Sequence, residues 1–487
     1  MRDAEGRAFA AGIAPGVLME TAGGAIARAT LPYVPSGGTC LVLVGPGQNG
    51  GDGLCAARHL RSRGVGVTIW LLTDPGKLHG DALAQYRYLQ GADGVGWCAA
   101  DETPQGTSDA AIDAIFGISL RGELTGAPLR ATWYLADHPM PVVAADLPSG
   151  VRADTGEIAG AAVRATRTVA LGALKPGHIF APGRSCAGEV VLEPLGLLPA
   201  FTDDLPLRLV DRMPAGPRVA PQAPKQAYGR ALIVAGCEAY PGAAWLAARG
   251  AVRGGAGLTV LASLADVLMH PGAMPEVIVQ RLRQDGQGGI DPADVTQELA
   301  APAQAVAIGP GLGRMAELAQ WRRAIIALCR PLVLDADGLS PFAGRPEELL
   351  RRSAPTVLTP HAGEASRLLG REVGTAPQER LEAAEELARR SGAVTLLKGQ
   401  PTFVATPDGR VAIVDAGGPE LATGGTGDVL TGLVVAQLAQ DVPARIAAER
   451  AALAHARAGA ALRSRSPRGH LASEVADAAA QALGEED

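Results

Sequence analysis

The sequence has few lysines, no closely spaced cysteines and no long apolar run. The last two absences exclude classes of protein. The six cysteines are scattered without a CxxC pair, which favours reduced thiols and argues against a disulfide framework or a cysteine-rich zinc site. No apolar stretch approaches the roughly 18 residues of a membrane span, and the first residues lead into no signal core. A net charge of -6 gives no general attraction to nucleic acid. We therefore expect a cytoplasmic protein that binds neither membranes nor nucleic acids.

Lysine is the scarce basic residue, because only four of the 44 lysines and arginines are lysine. Two of these four, Lys175 and Lys398, lie in motifs that contain glycine. Against a composition dominated by alanine and arginine, they are the basic residues that we single out for a specific role. The length of 487 residues, 47% of them hydrophobic and 19% charged, is typical of a folded protein with more than one domain.

Buried strands alternate with helices in the first half of the chain. The pattern predicts an amphipathic helix over 13–30, a strand over 41–44, a glycine-rich turn over 45–53 with a helix to 63, and a strand over 67–72. A strand, turn, helix and strand in this order predict a parallel sheet with a ligand at the turn. The turn matches neither the GxGxxG fingerprint nor the P-loop.

Polar residues lie at the ends of three strands in this half. Asn49 and Asp52 follow the first strand, Asp113 ends a second, and Asp146 and Ser149 follow a third. Each residue alone would be interpreted as a turn or cap residue. Because ligands bind beyond the carboxyl ends of parallel strands, three such ends together favour one shared crevice. Carboxylate, amide and hydroxyl oxygens suit a hard cation rather than zinc.

The motifs of roughly residues 1–200 resemble, in order and spacing, those of the NAD(P)H-hydrate epimerase family. They are Asn49-Gly-Gly-Asp-Gly53, Asp113-x-x-x-Gly117, Asp146-x-Pro-Ser-Gly150, Ala153-Asp-Thr-Gly156 and Leu174-Lys-Pro-Gly177. The resemblance implies a Rossmann-like three-layer domain that interconverts the R and S forms of hydrated NAD(P)H at C6. Gln48 stands where the family usually has a second asparagine.

The same resemblance implies the roles of individual residues. Asp146 would transfer the proton, and Asn49, Asp113 and Ser149 would hold a potassium ion. The hydrated nucleotide would be contacted by Gln48, Asn49, Gly50, Gly51, Asp52, Gly117, Ile118, Ser119, Leu120, Arg121, Gly122, Glu123 and Asp146.

Prolines are dense between 205 and 224, which excludes a regular helix or a central strand there. We therefore predict a linker over 211–222 between domains of 1–210 and 223–487. Beyond it, strands again alternate with helices and end in glycine turns, which predicts a second α/β domain with a mainly parallel sheet. We predict an alanine-rich helix over 444–463, and we expect no functional residue in it.

Phosphate chemistry is indicated by Thr423-Gly-Gly-Thr-Gly-Asp428, which precedes an apolar run that predicts a buried helix. Free N–H groups at the start of that helix would form an anion hole. Asp428 would stand where a general base is needed, and the plainer alternative is a turn with Asp428 as N-cap. Lys398 would neutralise the phosphate from the other side, unless it is an exposed lysine at a strand end.

Three further polar residues of this half follow strands. His361, within Thr359-Pro-His-x-Gly-Glu364, favours a ligand role over that of a hydrogen-bonded structural histidine. Asp335 and Asp337 fit metal ligands and strand-end turn residues equally well.

The motifs of about 225–487 resemble those of the ADP-dependent NAD(P)H-hydrate dehydratase family, which has a ribokinase-like fold. They are Gly254-Gly-Ala-Gly257, Gly309-Pro-Gly-Leu-Gly313, Thr359-Pro-His361, Leu397-Lys-Gly399 and Thr423-Gly-Gly-Thr-Gly-Asp428. By this resemblance ADP would be contacted by Lys398, Gly399, Gln400, Pro401, Thr402 and Gly427. The S-form hydrate would be contacted by Ala256, Gly311, Gly313, His361 and the catalytic Asp428.

Together the resemblances imply a bifunctional repair enzyme that is a homo-oligomer. Its small-molecule partners would be NADHX, NADPHX and ADP, and its cofactors would be potassium in the first domain and magnesium in the second. Two alternatives stay open: a ribokinase-like small-molecule kinase with an accessory domain, and a first domain that senses nucleotides or acts as a scaffold without isomerising them. The preference between NADHX and NADPHX also stays open.

Overall fold

The computed structural model describes residues 1–203, 205–217, 222–270 and 272–485. Its chain divides into two compact units, Met1–Asp204 and Leu205–Asp487. The division lies before the predicted domain end at 210, because the strand Leu207–Leu209 pairs with a strand of the second unit. Part of the predicted linker, residues 218–221, lies outside the described residues.

In the described part of the first unit, seven parallel strands form one sheet in the order β3-β2-β1-β4-β5-β6-β7. The elements are α1 (Arg2–Ala10), α2 (Pro15–Thr30), β1 (Thr39–Val44), α3 (Gln48–Arg61), β2 (Gly66–Leu71), α4 (Gly80–Gln90), β3 (Val95–Cys98), β4 (Ala110–Ala114), α5 (Gly126–Asp137), β5 (Val142–Ala145), β6 (Arg167–Leu171), α6 (Pro176–Ile179) and β7 (Glu189–Glu193). Short 3-10 helices span Leu31–Tyr33, Pro75–Lys77, Gly183–Cys186 and Pro199–Phe201. The strand order reverses between β1 and β4, as in Rossmann-like sheets.

Helices cover both faces of this sheet, because side chains along each strand alternate between two apolar cores. Val42 of β1 packs with Ile26 of α2 and Leu54 of α3. The next residue, Leu43, packs on the opposite face with Leu135 of α5. This arrangement confirms the predicted three-layer Rossmann-like domain.

Helix α3 begins at Gln48, so most of the predicted glycine turn over 45–53 is helical. The glycines there serve packing. A Cβ on Gly53 would lie 2.4 Å from the Cβ of Ala114, which is too close for two carbon atoms. Glycine in this helix therefore brings α3 against the strands and places its polar first turn at their carboxyl ends.

The described residues of the second unit form a sheet of ten strands in the order β11-β10-β9-β12-β13-β14-β15-β16-β17-β8. The elements are β8 (Leu207–Leu209), β9 (Arg230–Val234), α7 (Pro241–Arg253), β10 (Leu258–Ser263), α8 (Ala265–Leu268), β11 (Ile278–Arg281), α9 (Gln297–Ala300), β12 (Ala305–Ile308), α10 (Leu318–Ala327), β13 (Leu332–Leu334), β14 (Thr356–Leu358), α11 (Ala362–Leu369), α12 (Pro377–Ser391), β15 (Val394–Leu397), β16 (Thr402–Ala405), β17 (Val411–Val414), α13 (Thr426–Ala439), α14 (Ala444–Arg463) and α15 (Ala472–Gly484). Short 3-10 helices span Lys225–Tyr228, Pro292–Asp294, Ala336–Phe342, Pro346–Arg351 and Pro419–Leu421. Strands β9 to β15 pair in parallel, whereas β16 is antiparallel to both of its neighbours.

Helix α13 lies inside this unit, against α7 and the strands β9 and β12. It is buried almost throughout, which explains why its sequence is apolar on every side. A Cβ on Gly432 would lie 2.1 Å from the carbonyl oxygen of Ala247, so glycine lets α13 approach α7 closely. Although α13 is apolar, none of the described helices is both long and apolar enough to span a bilayer.

Candidate active sites

A buried carboxylate lies at the carboxyl end of β4, the strand next to β1 at the reversal of strand order. Asp113 is fully buried, and it accepts hydrogen bonds from the hydroxyl of Ser149 at 2.6 Å and from its N–H at 2.7 Å. Burial raises the pKa of Asp113 to about 6, although these bonds and one from the N–H of Ile115 act against the shift. The amide nitrogen of Asn49 is buried without a hydrogen-bond partner among the described residues. Among the described residues, Asp113 is thus held by two N–H groups and one hydroxyl and forms no ion pair.

Asp146 forms a buried ion pair with Lys175. Its Oδ1 also accepts a hydrogen bond from the N–H of Leu171 at 3.3 Å, and Lys175 donates to the carbonyl of Leu171 at 2.6 Å. The ring of His178 accepts from the N–H of Lys175 at 2.9 Å, so its other nitrogen donates to the carbonyl of Asp146 at 2.6 Å. Burial lowers the pKa of His178, which favours this neutral form. These bonds hold Asp146 in a left-handed conformation, with φ of 66°, that costs a residue other than glycine about 1 kcal/mol or more.

A cavity of about 430 Å³ opens onto Asp146. Its lining includes seven of the predicted nucleotide contacts: Gln48, Asn49, Asp52, Gly117, Ile118, Ser119 and Asp146. Burial and, next, the charge of Asp146 raise the pKa of Asp52 well above its usual range. The cavity therefore offers two carboxyl groups, Asp52 and Asp146, to one ligand.

The other predicted contacts of the first unit lie elsewhere. Gly50 and Gly51 are buried in the first turns of α3. Leu120 is half-buried and Arg121, Gly122 and Glu123 are exposed, and none of these four lines the cavity.

Sequence reasoning missed several residues that line this cavity. They include Leu171 and, from α1, Arg2, Glu5 and Phe9. Lys175, which the sequence singles out without predicting it as a contact, also lines the cavity. The scarcity of lysine was a signal for Lys175, but nothing in the pattern of the first ten residues indicated that α1 closes one side of the cavity.

Lys398, immediately after β15, is the central cation of the second unit's polar cluster. Its ammonium lies 2.7 Å from Oδ1 of Asp335 and 3.9 Å from Glu364. The hydroxyl of Thr431, on α13, donates to the other oxygen of Asp335 at 2.6 Å. The alternative of an exposed lysine at a strand end is therefore wrong, because the Lys398 side chain is 21% exposed and ion-paired.

Asp428 lies in the first turn of α13, and the N-cap of this helix is Gly425 with φ of 92°. The alternative that Asp428 is the N-cap is therefore wrong. Burial and, next, the charge of Asp335 raise the pKa of Asp428 to about 7, against the opposing effect of Lys398. A Cβ on Gly427 would lie 3.5 Å from the ammonium of Lys398. Lys398 and a carboxyl group with a pKa near 7 therefore both lie at the start of α13.

The structure gives the remaining polar residues separate partners. The ring of His361 accepts hydrogen bonds from the N–H groups of Gly363 and Glu364, at 3.0 and 3.4 Å, and so caps α11. Asp337 accepts from the N–H of Gly313 at 2.8 Å, and burial raises its pKa. Asp337 keeps one carboxylate oxygen available for a ligand, whereas Nε2 of His361 lies 3.4 Å from an oxygen of Glu364.

A cavity of about 440 Å³ lies beside Lys398. The predicted contacts in its lining are His361, Lys398, Gly399, Gln400, Thr402 and Gly427. The remaining predicted contacts, Ala256, Gly311, Gly313, Pro401 and Asp428, are not in that lining. Asp428 interacts electrostatically with Asp337, which is bonded to Gly313, so these three residues form a second side of the cluster.

Ala256 is the predicted contact that the structure does not bring to this cluster. It lies just before β10, at the amino end of that strand. The neighbouring carbonyl of Gly254 accepts hydrogen bonds from Gln437 and Gln440, near the far end of α13 from Asp428.

Helix α14, given no site residue from the sequence, contributes to this cavity through His455. Burial lowers the pKa of His455 to about 4, and its Nε2 lies 2.9 Å from the carbonyl oxygen of Thr426. The neutral ring therefore donates to the first residue of α13. An isolated histidine in an alanine-rich helix gave no signal of this.

Two family models match the chain. The model described as YjeF-related protein N-terminus matches residues 15–177, and the model described as NAD(P)H-hydrate dehydratase matches residues 231–481. Each match lies within one compact unit.

Relatives named bifunctional NAD(P)H-hydrate repair enzymes match most of the chain. The protein of Thermofilum pendens is 36% identical over 440 residues, which cover 87% of this chain and 83% of that protein. The protein of Salinibacter ruber is 38% identical, with 94% and 90% covered. A solved ADP/ATP-dependent NAD(P)H-hydrate dehydratase of Bacillus subtilis, co-crystallised with ATP and Mg²⁺, is 32% identical with a TM-score of 0.49, covering 55% of this chain and 93% of that one.

Proposed function

Because the chain belongs to the family of bifunctional NAD(P)H-hydrate repair enzymes, we propose that its two units divide the two steps of this repair. The enzyme epimerises (6R)- to (6S)-NAD(P)HX and dehydrates (6S)-NAD(P)HX to NAD(P)H, with conversion of ADP to AMP and phosphate. We assign epimerisation to the cavity of Asp146 and dehydration to the cluster of Asp428. One observation carries this assignment: the NAD(P)H-hydrate dehydratase model matches residues 231–481, which leaves the separate cavity of the first unit for epimerisation.

In the first unit, we assign proton transfer at the hydrated ring to Asp146. General acid-base catalysis requires a carboxyl group held at a fixed place beside the substrate. The ion pair with Lys175 and the hydrogen bonds to the backbone of Asp146 supply this fixed position. The predicted contacts that line the cavity would hold the nucleotide around it.

Asn49, Asp113 and Ser149 fit a potassium ion. Their donor atoms are oxygens, the ligands of hard cations, and Asp113 is a fully buried carboxyl group whose pKa is raised by burial. A bound cation would supply the missing positive charge and fix the strand ends beside the cavity. The residues of the chain carry out the proton transfer itself.

In the second unit, dehydration needs a better leaving group than hydroxide. The C6 hydroxyl attacks the β-phosphorus of ADP, an oxygen-phosphorus bond forms, and the bond between that phosphorus and AMP breaks. We assign the hydroxyl proton to Asp428, whose pKa of about 7 suits a base at neutral pH. Phosphate then leaves C6 with the electron pair of its bond, a proton is lost from C5 to solvent, and the C5–C6 double bond of the ring is restored.

The start of α13 and Lys398 would stabilise the transferred phosphoryl group. Free N–H groups at a helix start bind anions, and the ammonium of Lys398 lies beside that first turn. Such preorganised charges commonly supply the largest part of phosphoryl-transfer catalysis. The ADP contacts that we propose are Lys398, Gly399, Gln400, Pro401, Thr402 and Gly427.

Asp337 is the better candidate for a magnesium ligand than Asp335. Both oxygens of Asp335 are engaged, one by Lys398 and the other by Thr431. Asp337 accepts a hydrogen bond from Gly313 through one oxygen. Its other oxygen is therefore the one available to a metal bound to ADP.

A homo-oligomer also remains a proposal of ours. The edge strand β11 exposes all four of its residues, including the large apolar side chains of Ile278 and Val279. An exposed edge of this kind can pair with another chain. Light scattering on the purified full chain would give its mass in solution.

Product analysis tests the assignment of the second unit. The full chain is incubated with (6S)-NADHX and ADP, and we expect NADH, AMP and phosphate in equal amounts. A small-molecule kinase would instead prefer ATP and release a stable phosphorylated product, which would overturn the assignment.

A further inference from the structure

Helices α2 and α3 bring together a glutamate, a cysteine and a histidine away from both cavity linings. Cys55 and His59 are one helical turn apart on α3, and Glu20 faces them from α2. The Sγ of Cys55 lies 3.5 Å from one oxygen of Glu20, and Nε2 of His59 lies 2.9 Å from the other. The three possible ligand atoms all lie within 4.8 Å of one another.

Close packing of the two helices fixes this arrangement. A Cβ on Gly23 of α2 would lie 2.5 Å from the Cβ of Cys55, so glycine is what allows the helices to approach. Cys55 is fully buried, and the His59 side chain is 21% exposed. Although Nε2 of His59 is close to Glu20, it makes no hydrogen bond with any described residue. The two atoms are close enough for a hydrogen bond, but the direction of the ring nitrogen toward Glu20 is unfavourable.

A positive charge already lies at the centre of this cluster. The guanidinium of Arg58 donates to the Cys55-facing oxygen of Glu20 and, at 3.6 Å, to the sulfur of Cys55. Its Nε donates to Gln85 at 3.0 Å. Arg58 can therefore swing toward Gln85 and solvent when another cation takes its place.

We propose that Glu20, Cys55 and His59 form a binding site for Zn²⁺, with the metal replacing the guanidinium of Arg58. Thiolate, imidazole and carboxylate are the usual protein ligands of zinc, at about 2.0 to 2.3 Å. In a tetrahedral site such bonds place the ligand atoms about 3.5 Å apart. The oxygens of Glu20 lie 3.5 Å from Cys55 and 2.9 Å from His59, so small shifts of the side chains would suffice. Binding releases the thiol proton of Cys55 to solvent, and water completes the fourth position.

The location gives this site a connection to the first cavity. Met19 of α2 and Asp52 of α3 line that cavity. Met19 is the residue before Glu20, and Asp52 lies about one helical turn before Cys55. A bound metal would therefore tie together the two helices that form one wall of the cavity. The scattered cysteines excluded a cysteine-rich zinc site, whereas this site needs one cysteine only.

Titration of the full chain, first freed of metal with a chelator, with Co²⁺ tests the proposal. Cobalt bound to thiolate gives a charge-transfer absorption band, and we expect one equivalent to saturate it and Zn²⁺ to abolish it. Cys55→Ser should remove the band. Cys329→Ser, at the exposed cysteine, is the matched control and should keep it. Absence of the band in the unmodified chain, or its survival in Cys55→Ser, would overturn the proposal.

Two further variants keep the proposal testable if Cys55→Ser does not fold. His59→Gln should weaken Co²⁺ binding by about tenfold or more, whereas Arg58→Gln, which removes the competing cation, should strengthen it by about tenfold. Unchanged affinity in both variants would show that the metal binds elsewhere.

Discussion

The ammonium of Lys398 lies 2.7 Å from a carboxylate oxygen of Asp335, across the ends of two strands that are not neighbours in the sheet. Both groups act on Asp428, since the charge of Asp335 raises its pKa and Lys398 opposes that shift. The balance, together with burial, leaves the pKa of Asp428 at about 7. The ion pair of Asp335 and Lys398 therefore adjusts the pKa of Asp428 and holds Lys398 beside the start of α13.

This balance predicts how dehydration depends on pH. Only ionised Asp428 can accept the hydroxyl proton, so the rate should fall about tenfold per pH unit below about pH 7. Asp335→Asn removes a negative charge that raises the pKa of Asp428. This variant should therefore move the acidic limb of the pH–rate profile to lower pH. The measurement is kcat against pH with (6S)-NADHX and ADP.

Glu347→Gln is a suitable control, because Glu347 belongs to a surface ion pair with Arg390. It should leave the limb in place. A limb that stays where it is, or moves to higher pH, in Asp335→Asn would contradict the assignment of Asp428 as the base.

Lys175→Met should impair epimerisation by about a hundredfold or more, because Asp146 loses the cation that holds it. Dehydration of the S form, in the other unit, should be unaffected. Lys77→Met, at an exposed lysine of the same unit, is the matched control. Polarimetry or chromatography of the R and S forms measures the rate, and an unimpaired Lys175→Met enzyme would refute the role of the pair.

Potassium dependence should follow the protonation of Asp113. Burial raises the pKa of this carboxyl group to about 6, so protons compete with the cation below that pH, and more K⁺ should be needed for half-maximal epimerisation. Asp113→Asn should abolish the response to K⁺. Titration of the rate with KCl at constant ionic strength measures both effects. A K⁺ response that survives in Asp113→Asn would place the ion elsewhere.

Gly53→Ala should destabilise the first unit by about 1 to 3 kcal/mol, because the new Cβ overlaps that of Ala114. Gly6→Ala in α1 is the matched control. No atom lies within 4 Å of a Cβ there, so alanine should be neutral or stabilise the helix by up to about 1 kcal/mol. Urea unfolding of the full chain gives both values. Equal stability of the two variants would contradict the packing role of Gly53.

The alternation of strands and helices along the chain and the polar residues at strand ends could be predicted, because apolar runs and the residues after them are local features. Asp113 and Ser149 do meet at the end of β4, and Lys398 does lie beside the first turn of α13. The start of α3 at Gln48 could not be predicted. The same glycines that suggest a turn also permit close helix packing. Only the positions of Gly53 and Ala114 in space distinguish the two.

Partners that come from distant elements were harder to predict. Nothing near Lys175 indicates that its ammonium pairs with Asp146, and nothing near His455 indicates that its ring bonds to Thr426. Ala256 illustrates the opposite error, a predicted contact that lies away from the site. Its glycine-rich motif is at the amino end of β10. A motif indicates local backbone, whereas the site depends on which strand ends face each other.

The most direct test uses a mixture of (6R)- and (6S)-NADHX with ADP, and follows NADH by its near-ultraviolet absorbance before uncatalysed epimerisation matters. The unmodified chain should convert the whole mixture. Asp146→Asn should stop when the S form is exhausted, and Asp428→Asn should form no NADH while still interconverting R and S. Complete conversion by Asp146→Asn, or NADH formation by Asp428→Asn, would contradict the division of the repair between the two sites.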